Sequence, residues 1–218
     1  MREDLRQKMM TIPVAALADA NKQLSILDSA LRPVRAGLKL VGPAHTVRCH
    51  DDFLTIIQAL NNSEAGEVIV VDSCDSTRAL IGEIFTNEAL RKGLAGLVID
   101  GPVRDIESIR ELDIPVYARS FCPCSGTTIR LMDEQIPILC GGVEVNPGDV
   151  LFGDDDGILV GSEAELLNAI ENALAIEDAE RELLRQMHSG KPLAELLNFK
   201  EHVEALKTGI DSSLQFRL

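Results

Sequence analysis

Aromatic residues are nearly missing from this chain: among 218 residues there is no tryptophan, one tyrosine and six phenylalanines. Its core must therefore come from Leu, Ile, Val and Ala. Positive charge is also short. Lys and Arg number 21 against 35 Asp and Glu, a formal net charge of −14. Such a balance argues against binding a nucleic-acid backbone, which needs clustered cations, so no nucleic-acid partner is expected. No stretch reaches the roughly 18–20 apolar residues of a membrane span. The opening residues, Met1-Arg2-Glu3-Asp4-Leu5-Arg6, lack the apolar segment of a signal peptide. The five cysteines (Cys49, Cys74, Cys122, Cys124, Cys140) are odd in number and spaced unlike a disulfide framework. The expectation is a soluble protein of a reducing cytoplasm, with no membrane contact. The four histidines have neither His-Glu-x-x-His nor triad spacing, and no P-loop, dinucleotide fingerprint or internal repeat occurs.

What is present is the composition of a folded domain, 45% hydrophobic and 26% charged. One domain over residues 1–218 is the economical reading, with a core at about 12–178 and a helical extension at about 179–218. The first twenty residues read as helical. Ala44 to Cys49 and Glu67 to Asp72 read as strands, the second a continuous apolar run of the kind covered on both faces. Phe53 to Leu60, behind the acidic pair Asp51-Asp52 that suits a helix dipole, and Ala79 to Lys92 read as helices, with Gly93 as a C-terminal stop. Strand and helix alternate, which is α/β. Beyond Pro115 the character changes to short, closely spaced strand candidates separated by Asn146-Pro147-Gly148-Asp149, a type II turn pattern, and the acidic turn Asp154-Asp155-Asp156-Gly157. A purely parallel sheet is therefore not expected. Ser162-Glu163-Ala164-Glu165 forms a capping box at the head of a long helix, and a further helical segment is expected around Leu193 to Leu206.

One segment combines a buried strand with reactive side chains. Gly96-Leu97-Val98-Ile99 runs through Asp100 into Gly101-Pro102, which reads as a turn, and then presents Arg104 and Asp105 side by side. The guanidinium is a fixed fork suited to a carboxylate, and the aspartate offers hard oxygen to Mg²⁺ or Mn²⁺. Together they suggest a small acidic substrate handled with a divalent cation; a surface salt bridge is the plain alternative. Gly82-Glu83 stands near the start of the preceding helix, where free amides bind carboxylates. Glu83 reads either as a ligand to metal or its waters, or as a solvated charge. Asp154-Asp155-Asp156 lacks EF-hand spacing and reads as a turn, Cys122-Pro123-Cys124 as structural, and His50 as a weak candidate.

In this order, Gly82-Glu83, Gly96 to Asp105, Pro115-Val116-Tyr117-Ala118-Arg119, Gly141-Gly142 to Pro147-Gly148-Asp149 and Asp154 to Gly157 resemble the RraA-like family over roughly residues 12–178. That family includes class II 4-hydroxy-4-methyl-2-oxoglutarate aldolases and regulators of ribonuclease activity A. The resemblance implies a layered β/β/α swivelling-type α/β fold with mixed sheets and C-terminal helices. It also implies assembly as homotrimers or hexamers with active sites between subunits. In the aldolase branch an acidic residue precedes the arginine of the Arg-Asp pair by twenty-one positions; Glu83 occupies that place, where aspartate is usual. Ser108 stands where an acidic residue is frequent, and Cys122-Pro123-Cys124 departs from the family pattern.

The activity that the resemblance implies is metal-dependent cleavage of a C–C bond in a small 2-oxo acid to give pyruvate, by retro-aldol cleavage or oxaloacetate decarboxylation. Asp105 would hold Mg²⁺ or Mn²⁺ directly and Glu83 through water. Arg104 and the backbone of Gly82, Glu83, Ile84 and Phe85 would bind the substrate carboxylate and the developing enolate. The alternative is a non-catalytic regulator that binds an RNA-degradation complex. A methyltransferase reading finds no glycine-rich nucleoside-binding segment here.

Overall fold

Val68, Ile69, Val70 and Val71 are completely buried, two on each face of a sheet. Each such side chain contributes on the order of 1.5–3 kcal/mol of apolar burial. The computed structural model describes residues 1–217. Helices α1 (Glu3–Thr11) and α2 (Val14–Ala20) come first, then the short strands β1 (Ser25–Ile26) and β2 (Arg32–Pro33) and the long β3 (Leu40–Arg48). Alternation follows: α3 (Leu54–Asn62), β4 (Val68–Asp72), α4 (Glu83–Lys92), β5 (Gly96–Val103), α5 (Ile106–Arg110) and β6 (Val116–Phe121). Next come β7 (Ile138–Cys140), β8 (Val143–Val145), β9 (Val150–Asp154) and β10 (Gly157–Gly161), and finally α6 (Glu163–His188), a 3₁₀ turn (Leu193–Glu195) and α7 (Phe199–Lys207).

Two compact units result, residues 1–170 and the residues from Glu171 onward. In the first, eight strands form a mixed sheet in the order β1-β10-β9-β3-β4-β5-β6-β2. Strands β3, β4, β5 and β6 are parallel, and their neighbours on both sides are antiparallel. Strand β3 serves both halves: Leu40–Pro43 pairs with β9, and Ala44–Arg48 pairs with β4. Expected to begin at Ala44, the strand begins four residues earlier, because Pro43 stands at the change of partner rather than at a strand end.

Side chains alternate across β4 and β5. Ile69, Val71, Leu97 and Ile99 pack with Ile56, Ala59, Leu60 and Ala89 of α3 and α4. Val68, Val70 and Val98 pack on the other face with Ile138, Cys140 and Val145 of the two-stranded β7–β8 sheet. The layers are therefore helices, mixed sheet, small sheet: the β/β/α arrangement that the family resemblance implies. The capping box is also present, with Ser162 N–H donating to Glu165 Oε2 at 2.8 Å and Glu165 N–H to Ser162 Oγ at 3.3 Å. Gly148 takes φ +85° in the expected turn, where Asp149 N–H donates to Asn146 O at 3.1 Å.

Three expectations change. The helix expected over Ala79 to Lys92 begins at Glu83; Ala79 and Ile81 instead form isolated bridges with Ser125 and Val103. Gly101-Pro102 does not turn the chain but continues β5 through a register shift between Ile99 and Pro102. A bulge tolerates the proline, which has no N–H to give. In the second unit, the single segment expected around Leu193 to Leu206 is a 3₁₀ turn and a separate helix, α7.

Candidate active site

The parallel strands β3 to β6 all deliver their C-terminal ends to one edge of the sheet, the usual place for a site in such an arrangement. The segments leaving that edge build a cavity of about 150 Å³, small against the roughly 300–1,000 Å³ of pockets for larger ligands. Leu80 N–H donates to Pro102 O and Arg104 N–H to Ile81 O, each at 3.1 Å. These two bonds lay Ala79–Ile81 alongside the end of β5 and bring Gly82 against Asp105.

Gly82 is required there by space. A Cβ on it would run into Asp105 Oδ2 and stand 3.0 Å from Arg104 Cγ. Its carbonyl accepts Thr86 N–H at 3.1 Å and the Thr86 hydroxyl at 2.9 Å, which fixes the first turn of α4. Asp105 adopts left-handed backbone angles, φ +56° and ψ +40°, which Asp tolerates better than most residues. Its Oδ2 accepts Glu83 N–H at 3.1 Å, with Arg104 Nε 3.5 Å away; both side chains are about 40% exposed. The amides of Ile84 and Phe85 also lie in the first turn, where no intrahelical acceptor exists. They add partial positive charge beside the guanidinium. Phe85 meets Phe53 edge to face, with centroids 5.4 Å apart, to give the cavity an apolar wall.

The structure thus brings Gly82, Ile84, Phe85, Arg104 and Asp105 into one lining. Glu83 heads α4 with its side chain exposed and lies outside that lining. Only its amide takes part directly, and that amide is already committed to Asp105. His50 is elsewhere, its Nδ1 2.9 Å from Cys74 O. Asp154, the last residue of β9, accepts Val14 N–H, and Asp155 in the turn that follows accepts Gly37 N–H.

Phe53, Ala79, Leu80, Ile81 and Ser125 also line the cavity and were not among the residues expected. The signal that could have exposed Ala79–Ile81 is Gly82 itself: a glycine just before the helix leaves the three preceding residues free to be wall. Ser125 has no comparable signal.

Two adjacent carboxylates hold this wall in place. Asp51, at φ +49°, accepts Ser76 Oγ–H at 2.7 Å, Thr77 N–H at 2.8 Å and Arg78 N–H at 3.0 Å. Buried Asp52 accepts Leu54 N–H through Oδ1 at 2.9 Å. Its Oδ2 accepts the Thr127 hydroxyl at 2.6 Å and the amides of Ile129 and Arg130 at 2.7 and 3.1 Å. The Ser76 hydroxyl and the two amides hold the Asp51 carboxyl below the usual range. Burial opposes ionisation of Asp52, but its hydrogen bonds outweigh burial and lower that carboxyl too.

Among the described residues no three His, Cys, Asp or Glu side chains converge on a point, so no all-protein metal cage exists. Asp105 nevertheless fits a hydrated cation held through a single carboxylate. It is half-exposed, its Oδ2 is positioned by an amide, and Oδ1 carries no hydrogen bond from the described residues. Mg²⁺ commonly keeps several waters and takes one or two carboxylates plus substrate oxygens. A second cavity at the same edge, about 530 Å³, contains Asp72, Asp75, Asp100 and Arg119. There the guanidinium is consumed by Asp28 at 2.9 Å and by Asp100.

Comparison with known proteins agrees with this architecture. Residues 14–160 match the model of the RraA-like family, described as Aldolase/RraA. A protein of Halalkalibacterium halodurans named "Putative 4-hydroxy-4-methyl-2-oxoglutarate aldolase" is 34% identical over 172 residues, covering 78% of this chain and 82% of that protein. The solved structure of the RNA-processing inhibitor RraA from Thermus thermophilis is 31% identical with a TM-score of 0.63, covering 67% of this chain and 90% of that one. RraAS2 of Streptomyces coelicolor, an RNase ES inhibitor family member, is 25% identical with a TM-score of 0.72, covering 83% and 96%.

Proposed function

The chain belongs to the RraA-like (Aldolase/RraA) family, and we propose that it is a lyase that cleaves a C–C bond in a small 2-oxo acid to release pyruvate, with Mg²⁺ or Mn²⁺ as cofactor. The observation that carries this reading is the junction of Gly82, Arg104 and Asp105: an anion-binding fork, a free helix turn and a half-exposed carboxylate share one small cavity. The named aldolase relative supports it.

In this reading Asp105 would hold the divalent cation, and exposed Glu83 would anchor its hydration. The cation supplies Lewis-acid polarisation of the 2-oxo group when bound. Arg104 binds the substrate carboxylate through paired N–H donors. The amides of Ile84 and Phe85, with the positive end of α4, face the oxygen on which negative charge develops as the bond breaks. In retro-aldol cleavage the C3–C4 electron pair passes to C3, giving the pyruvate enolate, while the 4-hydroxyl releases its proton to water and becomes a carbonyl; the enolate then takes a proton from water at C3 to become pyruvate. In β-decarboxylation the same pair comes from the bond to the departing CO₂. Phe53 and Phe85 exclude water from the apolar side of the cavity. The same family reading makes a homotrimer or hexamer the proposed assembly, with cytoplasmic localisation.

The test is pyruvate formation from oxaloacetate and from 4-hydroxy-4-methyl-2-oxoglutarate, with Mg²⁺ or Mn²⁺ and then with EDTA. Turnover that needs both protein and metal is the expected result. The likeness to RraA proteins named as RNA-processing or RNase inhibitors favours a second reading, a protein regulator. Retention of an RNA-degradation complex on the immobilised protein, with no turnover above the metal background, would establish that reading instead.

A further inference from the structure

We propose that Cys122-Pro123-Cys124 is a thiol pair modified by hydroperoxides, in which Cys124 is the nucleophile, Arg78 the cation beside it and Cys122 the thiol that closes a disulfide with it. This site stands apart from the lyase reading and neither needs nor excludes it. Cys124 is exposed and Cys122 partly so. Arg78 Nη1 donates to Cys124 Sγ at 3.4 Å and to Ser125 O at 3.3 Å. The contact joins two segments already held in register. Ala79 N–H donates to Cys124 O at 2.8 Å, and Gly126 N–H donates to Ala79 O at 3.0 Å. Arg78 N–H is itself held by Asp51 Oδ1 at 3.0 Å. The guanidinium therefore faces this sulfur because the backbone puts it there. Among the described residues no carboxylate pairs with it, in a chain that has 35 acidic residues.

Three of the other cysteines are placed against ionisation. Burial pushes the Cys49 thiol up to about 12 and raises that of Cys140. Desolvation and the charge of Asp72 raise the Cys74 thiol as well. The thiolate is the attacking form, and reactive cysteines are accessible ones beside a cation. Cys124 is both exposed and in contact with a guanidinium. Cys122 is pinned by its N–H to Val103 O at 3.0 Å, and its Sγ reaches along the loop to within 3.7 Å of Cys124 O. With a hydroperoxide, the Cys124 thiolate attacks the terminal oxygen and the O–O bond breaks. The leaving alkoxide or hydroxide takes up the proton that the thiol had given to solvent, and Cys124 becomes a sulfenic acid. The contacts to Ser125 and Cys124 use Nη1 alone, so other guanidinium donors are free for the charge on that leaving oxygen. Cys122 then gives its proton to water and attacks the Cys124 sulfur. The S–O bond breaks, and the departing hydroxide takes up that proton to become water. Two thiols have then lost two electrons, and one peroxide bond has gained them.

The test treats the native, full-length protein with a small excess of hydrogen peroxide, alkylates the remaining thiols after denaturation, and digests with trypsin. Cleavage after Arg119 and Arg130 releases Ser120–Arg130 as one peptide carrying both thiols. That peptide should escape alkylation as an internal disulfide, and dithiothreitol should restore both thiols. Cys49, Cys74 and Cys140 should stay reduced. Cys122→Ser should stop at the sulfenic acid, trapped on Cys124 by dimedone. Arg78→Gln should slow oxidation of Cys124 by about fivefold or more, a small part of what a buried oxyanion donor is worth because this site is exposed. Arg78→Lys should fall between the two, since it keeps the charge without the fork. A Ser120–Arg130 peptide that stays reduced, or oxidation that falls first on Cys74, overturns the proposal. A wild-type rate in Arg78→Gln overturns the part given to the guanidinium. Disulfides between chains in place of the internal one, seen on a non-reducing gel, overturn the part given to Cys122.

Discussion

Gly82 and Asp105 stand so close that a Cβ on residue 82 would occupy the place of the aspartate's Oδ2. The carboxylate can avoid that clash only by leaving Glu83 N–H, its positioning donor. Gly82→Ala should therefore lower kcat at least tenfold and weaken Mn²⁺ binding while the protein stays folded. Steady-state kinetics, Mn²⁺ titration and circular dichroism read the three effects. Unchanged kcat would show that the position of this carboxylate is irrelevant to turnover.

Asp105 permits a cleaner separation of charge from backbone. Asn also tolerates the left-handed angles found here, whereas Ala in that region costs about 1–2 kcal/mol. Asp105→Asn and Asp105→Ala should both lose metal-dependent turnover, but only the alanine variant should melt measurably earlier. Thermal unfolding beside pyruvate release compares them, and EDTA added to wild-type protein should reproduce the activity loss of Asp105→Asn. An active Asp105→Asn variant would refute the assignment of metal binding to this carboxylate.

How far these residues were legible in the sequence depends on the kind of information each needs. Arg104 and Asp105 follow a buried apolar strand, and periodicity marks that strand plainly. Gly82 and Glu83 were placed near a helix start, and the helix does start there. The wall from Ala79 to Ile81 reads as helix because its composition is helix-compatible; only pairing of Ala79 with Ser125 and of Ile81 with Val103 makes it extended. Asp51-Asp52 read as a helix-dipole pair, yet Asp51 turns left-handed and the two carboxylates hold different loops. Those partners lie 25 to 78 residues away in sequence. No local pattern encodes contacts of that range.

Arg104 can be tested by shape at constant charge. Lysine keeps the cation but has no planar fork, and its single ammonium cannot reproduce paired donation to a carboxylate. Arg104→Lys should raise KM and cut kcat/KM by tenfold or more, with thermal stability nearly unchanged because the pair with Asp105 is exposed at 3.5 Å. A kcat/KM within twofold of wild type would remove the fork from the mechanism.

Asp52 should reveal itself through acid. Its carboxyl lies below the usual value because hydrogen bonds from Thr127, Leu54, Ile129 and Arg130 outweigh burial. An unfolded aspartate takes up its proton near pH 3.9, whereas the folded one resists until lower pH. The stabilisation is therefore complete above about pH 4–5 and is lost as pH falls through the folded value. Asp52→Ala leaves several donors without their acceptor and should cost roughly 2–4 kcal/mol at pH 7. The gap to wild-type protein should narrow as pH falls below about 4, since wild type then surrenders the same charge. Urea unfolding of both proteins at pH 7 and pH 3.5 measures the two gaps. A gap of constant size would mean that the shape of the side chain, and not its ionised carboxylate, holds the segment from Thr127 to Arg130.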